Sequence, residues 1–161
     1  MFNIGDTVMY GRSGACVIKS VKDENFSGEV RRYYVLSPVY EQNSTVYVPM
    51  DIASEKLKKI LSEEEIRNVI SLAAREDAEW IEDNKLRREN ASSVIRSCDH
   101  ILIIRLIKLY RAKKAEFEAM HRKFFVADDK ALADAEKLLF REFSITLDIQ
   151  EKDVFPLICG K

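Results

Sequence analysis

The sequence has little of what disulfide-rich, membrane-spanning or secreted proteins need. Its three cysteines, Cys16, Cys98 and Cys159, are odd in number and widely spaced, so they predict no disulfide framework. No apolar run approaches the ~18 residues of a membrane span, and the longest one stops at Arg105. The first residues lack the basic start and apolar core of a signal peptide. We therefore expect a cytoplasmic protein with no membrane partner.

Recognisable catalytic machinery is also scarce. The chain has two histidines, His100 and His121, and it has no nucleophile-elbow, phosphate-loop or dinucleotide-binding motif. Cys98 and His100 stand one residue apart, which is not a zinc-ligand spacing, and no second ligand pair follows them. We expect no catalytic residue, metal site, cofactor or small-molecule substrate. The pair of Cys98 and His100 is the one feature that favours an enzyme.

The first third of the sequence has the composition of a small β domain. Four of the five glycines lie in the first 28 residues, where they predict frequent turns. Runs of β-branched and aromatic residues predict strands at 7–10, 15–21, 32–38 and 45–48. Four or five short strands cannot form a two-sheet sandwich. They predict a strongly bent SH3-like or Tudor-like half-barrel over residues 1–54.

Beyond residue 54 the pattern becomes helical. We predict a linker at 55–61 and a helical bundle at 62–161, so the fold class is α+β, with a half-barrel followed by a bundle. Ser62 and the three glutamates after it form a capping box that predicts the start of the first helix. A second helix is predicted over about residues 83–96.

Aspartates and a proline predict the remaining helix boundaries. Asp99 is expected to cap a third helix, and its apolar residues widen into a face typical of a central helix of a bundle. Asp128 or Asp129 is expected to cap a fourth helix. Pro156 is expected to end any short terminal helix.

The net charge of −1 hides a basic block. Residues 80–123 carry 11 basic and 6 acidic side chains, a net charge of +5, whereas the rest of the chain is acidic. Such a block is typical either of a site for nucleic-acid phosphates or of a solvated helix face.

Trp80, the only tryptophan, stands within this block in the segment EDAEWIEDNKLRREN. One interpretation is a core anchor. The other is an exposed aromatic wedge that partly unstacks a base step, with Lys85, Arg87 and Arg88 supplying the phosphate contacts that position it.

A second candidate surface lies in the half-barrel. Small open barrels keep a strand edge without a partner, and such an edge invites a strand from another protein. The segment 44–49 ends in a proline and is our candidate for that edge. The tyrosine pairs nearby are either barrel core or the lining of this docking edge.

The opening IGDTVMYGRSGACVIKSV has a Gly-Asp-x-Val strand, a tyrosine, a glycine turn and a second strand, here Gly5, Asp6, Val8, Tyr10 and Gly14. This pattern resembles the opening of the CarD/CdnL family of bacterial transcription regulators. The resemblance continues through Gly28, YYVL, TVYVPMD, Trp80, NKLRR, the turn Ser97-Cys98-Asp99, LIKLYRAKK and ADAEKLLFREF. It spans nearly the whole chain.

The resemblance implies a function. The family's Tudor-like domain binds the β subunit of RNA polymerase, and the residues expected to do so here are Val46, Tyr47, Val48 and Pro49. Its helical domain contacts the promoter DNA minor groove at the upstream edge of the melted bubble, where a tryptophan hinders reannealing. Trp80 matches that tryptophan, and Arg87 and Arg88 match the basic run after it. We therefore expect a non-enzymatic regulator that stabilises the open complex.

Two departures from the family modify this expectation. Tyr47 stands where members commonly carry a basic residue, and another basic position falls near Glu24, which favours a more apolar polymerase contact. Five acidic residues surround Trp80 and predict weak binding to free DNA. The rival interpretation is a protein–protein adaptor with no DNA role.

Overall fold

Sheet and helices occupy separate parts of the chain in the computed structural model, which describes residues 2–41 and 43–159. The chain divides into two compact units, Met1–Ile60 and Leu61–Lys161. The first contains a five-stranded antiparallel sheet and the second a bundle of helices. The predicted α+β fold class is confirmed.

The sheet has the strand order β4-β3-β2-β1-β5. Its strands are β1 (Thr7–Tyr10), β2 (Gly14–Glu24), β3 (Arg31–Pro38), β4 (Val46–Pro49) and β5 (Leu57–Lys59). Gly14 begins β2 with a φ of 68°, a left-handed value that favours glycine, and this allows the chain to reverse tightly after β1. All four strands predicted from the sequence are present.

The fifth strand lies within the segment predicted as a linker. Helix α1 (Ala53–Lys56) leads into β5, which pairs with β1 and buries Leu57. A strand of three residues is too short to show the alternation that predicts strands from sequence. The sheet unit therefore extends to Ile60.

One face of the sheet forms the core of this unit. Tyr34 and Leu36 on β3 point into it and pack with Ile18 and Val48. Their neighbours Tyr33 and Val35 lie outside this cluster, as the alternation of side chains along a strand requires. The two pairs therefore face opposite ways.

The second unit is built on two long helices. Its helices are α2 (Glu63–Ala73), α3 (Asn84–Ser97), α4 (His100–Ala119), α5 (Val126–Leu147) and α6 (Val154–Ile158). The capping box at Ser62 is present, and the side chains of Asp83 and Asp99 cap α3 and α4. Helix α4 buries five residues in the core, as expected of a central helix.

Two predicted helix boundaries are wrong. Helix α5 begins at Val126, so Asp128 and Asp129 lie in its first turn rather than at its cap. The helix dipole stabilises carboxylates in the first turn. Pro156 lies inside α6 at its third residue and does not end it. A proline is tolerated there because the first turn of a helix leaves its backbone N–H groups unpaired.

Candidate functional site

Strand β4 lies at one edge of the sheet and pairs only with β3 among the described strands. The edge predicted at 44–49 is therefore present. Of the four residues expected to bind polymerase, Tyr47 is exposed, Val46 and Pro49 are partly buried, and Val48 is 1% exposed in the core. The side chain of Val48 cannot reach a partner in this arrangement, whereas Tyr47 can.

Tyr47 belongs to a group of three rings that we call the edge aromatic cluster: Phe26, Tyr33 and Tyr47. The ring of Phe26 lies 5.2 Å from that of Tyr33 and 5.1 Å from that of Tyr47, both edge to face. Phe26 is 59% exposed, so the cluster presents apolar surface to solvent beside β4. Exposed apolar patches of this kind are typical of protein contacts.

Two arginines near this cluster are paired with carboxylates. Arg31 donates from Nη2 to both oxygens of Asp51 at 2.8 Å, and Arg32 donates from Nε to Asp23 at 3.0 Å. The hydrogen bond from Arg32 lowers the pKa of Asp23, while that to Asp51 raises the pKa of Arg31. The surface beside β4 therefore offers exposed rings, while the charges of these two arginines are shared with carboxylates.

Trp80 is partly buried and lies on the bundle core. Its ring lies 5.4 Å from that of Tyr110 in an edge-to-face contact and 6.1 Å from that of Phe124. The Arg87 guanidinium lies 4.4 Å from the indole centroid, within the range of cation–π attraction. Trp80 is neither a fully buried anchor nor a freely exposed wedge.

Arg87 is buried, at 2% exposure, and its donors are occupied. Nε and Nη2 donate to Oδ2 of Asp128 at 3.0 and 2.7 Å, and Nη1 donates to the carbonyls of Ile81 and Glu82. Asp128 is itself 1% exposed. Arg87 is therefore not available to a DNA phosphate in this arrangement, which revises the role expected for it from the sequence.

Tyr110 completes this buried group. Its hydroxyl and Oδ1 of Asp128 have no hydrogen-bond partner among the described protein atoms. Burial raises the pKa of Tyr110 to about 12, and the charge of Asp128 adds to the increase whereas that of Arg87 opposes it. One ion pair and one neutral phenol thus lie beneath the indole.

Two predicted cations on α3 face solvent. Lys85 and Arg88 are exposed one turn apart on α3, and neither forms an ion pair within the described part of the chain. Other members of the basic block are paired with carboxylates: Arg87 with Asp128, Arg105 with Glu76, Arg111 with Glu136, Lys113 with Glu116, and Lys114 with Asp129. The free positive charge near Trp80 is therefore smaller than the sequence suggests.

Sequence reasoning missed Lys113 as a neighbour of Trp80. Its Nζ lies 5.6 Å from the indole centroid, although 33 positions separate the two residues in sequence. No local spacing predicts this contact, because it depends on how α4 packs. Lys113 also contacts Glu116 at 3.3 Å, so its charge is shared.

His100 has a structural partner. Its Nε2 lies 2.8 Å from Oε1 of Glu142, a carboxylate of 2% exposure whose other oxygen accepts from the Leu61 N–H at 3.0 Å. The Cys98 thiol is directed to the Ile95 carbonyl at 3.9 Å. These contacts account for His100 without a nucleophilic role for Cys98.

Metal and membrane signatures are absent from residues 2–41 and 43–159. Within these ranges, no group of three or more His, Cys, Asp or Glu side chains is arranged to hold a metal ion. None of the helices described there is long and apolar enough to cross a membrane.

The sheet unit and the bundle match known proteins to different extents. Residues 2–61 match the family model described as the CarD-like/TRCF RID domain, and this segment is the β unit with its uncovered edge. The whole chain is similar to a Bacillus subtilis (strain 168) protein named "Putative transcription factor YdeB". The two are 22% identical over 156 residues, which cover 96% of this chain and 97% of that protein.

The β unit therefore defines the class of module at the N-terminus. Residues 2–61 match the CarD-like/TRCF RID domain, and a bundle of helices follows them, as the resemblance indicated.

The buried phenol predicts a pH dependence. The pKa of Tyr110 is raised from its ordinary value of 10.0 to about 12, so the neutral form is favoured in the folded state. Ionisation of this phenol therefore does not affect stability below pH 10.0, and it lowers the free energy of unfolding as the pH rises from 10.0 to about 12. Two pKa units correspond to at most about 3 kcal/mol. Tyr110→Phe should abolish this alkaline decrease in stability.

Chemical denaturation of the two proteins at pH 7 and across the alkaline range measures the difference. At pH 7, Tyr110→Phe should be as stable as the original chain or about 1 kcal/mol more stable, because it removes a buried hydroxyl without a protein partner. An identical alkaline decrease in both proteins would contradict the assignment to Tyr110.

Proposed function

We propose that this chain is a transcription regulator that docks on the RNA polymerase β subunit and contacts promoter DNA at the upstream edge of the transcription bubble. The edge strand β4 and the edge aromatic cluster make the polymerase contact. Trp80, Lys85 and Arg88 make the DNA contact. The outcome is a more populated open complex, and no catalytic step is assigned.

The observation that carries this proposal is the packing of the Trp80 indole. The indole packs against Tyr110, Phe124 and Arg87 and remains partly accessible to solvent. Two exposed cations, Lys85 and Arg88, follow it on α3. An apolar ring that inserts at a base step needs phosphate contacts beside it for register, and this arrangement supplies both.

The sheet unit supports the polymerase contact. A CarD-like/TRCF RID domain implies RNA polymerase binding. The β4 edge offers backbone groups for an added strand, and Tyr47 with Phe26 offers rings for specificity. Because Arg31 and Arg32 are paired with carboxylates, we expect apolar burial to dominate this contact.

The proposed mechanism is differential binding. The site for the indole exists only in melted or distorted DNA, so binding shifts the equilibrium toward the open complex. A stacking contact contributes about 1–3 kcal/mol, which corresponds to a shift of roughly 5–150-fold.

The adaptor function remains the second candidate, and one observation favours it. Five exposed carboxylates lie on either side of Trp80: Glu76, Asp77, Glu79, Glu82 and Asp83. They repel phosphate, so this surface alone is a poor DNA site and could instead meet a basic protein. Measurements on promoter complexes distinguish the two functions because only one of them requires DNA.

Trp80→Ala should shorten the lifetime of the open complex by roughly 5–150-fold, since it removes the stacking interaction. It should also lower the free energy of unfolding, by less than the about 3–5 kcal/mol of a fully buried ring, because Trp80 is only partly buried. Open-complex decay, polymerase capture and thermal melting of the full-length variant measure the three properties, and polymerase capture should be unchanged.

Phe143→Leu is the matched control for stability. Its ring is fully buried and stacks on His100 rather than on Trp80, so the change weakens the bundle at another place. The DNA role fails if this control shortens the open-complex lifetime as much as Trp80→Ala, or if Trp80→Ala leaves the lifetime unchanged.

Lys85→Ala and Arg88→Ala should each weaken binding to forked duplex DNA and reduce the salt dependence. We expect the slope of log K against log salt to decrease by about one unit for each phosphate interaction that a variant removes. Arg96→Ala is the control, because it removes the same charge from the other end of α3. Equal effects of all three variants would indicate a general charge effect and would count against a local site at Trp80.

Tyr47→Ala should weaken capture of RNA polymerase. Truncation of an aromatic side chain at the centre of an interface costs about 2 kcal/mol or more, which is roughly 30-fold in affinity. Tyr40→Ala, at an exposed tyrosine outside the edge aromatic cluster, is the control. If Tyr40→Ala reduces capture as much as Tyr47→Ala, or if neither does, the docking site is elsewhere.

A further inference from the structure

Besides its ion pair with Asp128, Arg87 contacts backbone carbonyls and the Trp80 ring. We propose that Arg87, held by Asp128, is a positioning residue that fixes the orientation of the Trp80 indole for DNA contact. This inference rests on the function proposed above for Trp80. It assigns Arg87 a role through the tryptophan and no contact with DNA of its own.

The guanidinium of Arg87 connects two parts of the bundle unit. Nη1 donates to the Ile81 carbonyl at 2.9 Å and the Glu82 carbonyl at 3.3 Å, and Nη2 donates to Oδ1 of Asn84 at 2.7 Å. These residues closely follow Trp80 in the chain. Asp128 on α5 holds the other side of the same group. Arg87 therefore ties the segment that carries Trp80 to a long helix of the bundle.

Aromatic rings surround the same guanidinium. The carbon at its centre lies 4.4 Å from the Trp80 centroid and 5.0 Å from the Phe125 centroid. A planar guanidinium stacks on aromatic rings in a way that a lysine ammonium cannot. Tyr110 and Phe124 contact the indole as well, so three neighbours fix its plane.

The energetics of the Arg87–Asp128 ion pair also favour a positioning role. A fully buried ion pair gains little over apolar residues of similar volume, because both charges lose their hydration. The pair here also leaves Oδ1 of Asp128 without a hydrogen-bond partner among the described atoms. Stability alone is therefore a weak reason for this pair, and orientation of the segment is a better one.

A fixed indole favours DNA contact because the side chain gives up less freedom on binding. Ordering a mobile side chain at an interface reduces affinity by roughly 2–10-fold, and a ring that is already ordered avoids this penalty. Removing Arg87 should therefore weaken the proposed contact of Trp80 with DNA, although the tryptophan itself is still present.

The test uses the full-length double variant Arg87→Met with Asp128→Leu, which replaces the pair by apolar side chains. We expect a melting temperature close to that of the original chain. Because Trp80 is the only tryptophan, near-ultraviolet circular dichroism and fluorescence anisotropy report directly on its ring. Both signals should decrease, and the open-complex lifetime should shorten by roughly 2–10-fold.

Arg87→Lys provides the same test if the double variant does not fold. It retains the charge opposite Asp128 but removes the planar fork, so the indole signals and the lifetime should again decrease. Unchanged indole signals in a stably folded variant would overturn the proposal. Altered signals with a normal lifetime would also overturn it.

Trp80→Ala separates this failure from failure of the proposed function. If Trp80→Ala shortens the lifetime whereas the Arg87 variants do not, only the positioning role is wrong. If Trp80→Ala also leaves the lifetime normal, the DNA function of Trp80 fails as well.

Discussion

The arrangement of the candidate DNA-contact surface depends on one buried ion pair, that of Arg87 and Asp128. It joins the start of α3 to the first turn of α5, and through the Ile81 and Glu82 carbonyls it also holds the segment between α2 and α3. Because that segment is not helical, a helical hydrogen-bond ladder does not fix it. The position of Trp80 consequently depends on a side chain seven residues further along the chain.

The same pair explains which parts of the site the sequence predicts and which it does not. Exposed cations on a polar helix are readily read from NKLRREN, and Lys85 and Arg88 are exposed. Arg87 lies between them and looks the same in sequence, yet it is buried while Leu86 is 57% exposed. Residue hydrophobicity alone would bury Leu86 and expose Arg87. The structure reverses this assignment because the tertiary pairing of Arg87 with Asp128 outweighs the local preference. One signal was available: Asp128 falls on the buried stripe of α5, four residues before Leu132, and a buried carboxylate requires a cation.

The fold itself was more predictable than the site. Strand alternation, glycine turns and helix caps are local signals, so the sheet followed by the bundle could be derived from them. The failures are also physical. Strand β5 is too short to show a period, and a proline at the third residue of α6 needs no backbone donor. The contact of Lys113 with the indole arises only from helix packing. Contacts of this kind, between residues distant in sequence, determine the chemistry around Trp80.

The charges around Trp80 argue for recruitment rather than independent DNA binding. Lys85 and Arg88 are exposed, but five exposed carboxylates flank Trp80 in the sequence, and several other cations of the basic block are paired with carboxylates. We expect such a surface to have low affinity for free duplex DNA. Under the proposed function, docking of the sheet unit on polymerase would raise the effective concentration of this weak site at the promoter, to roughly the millimolar range for a short flexible connection. Weak intrinsic binding would then confine the proposed action of Trp80 to DNA that polymerase has already engaged.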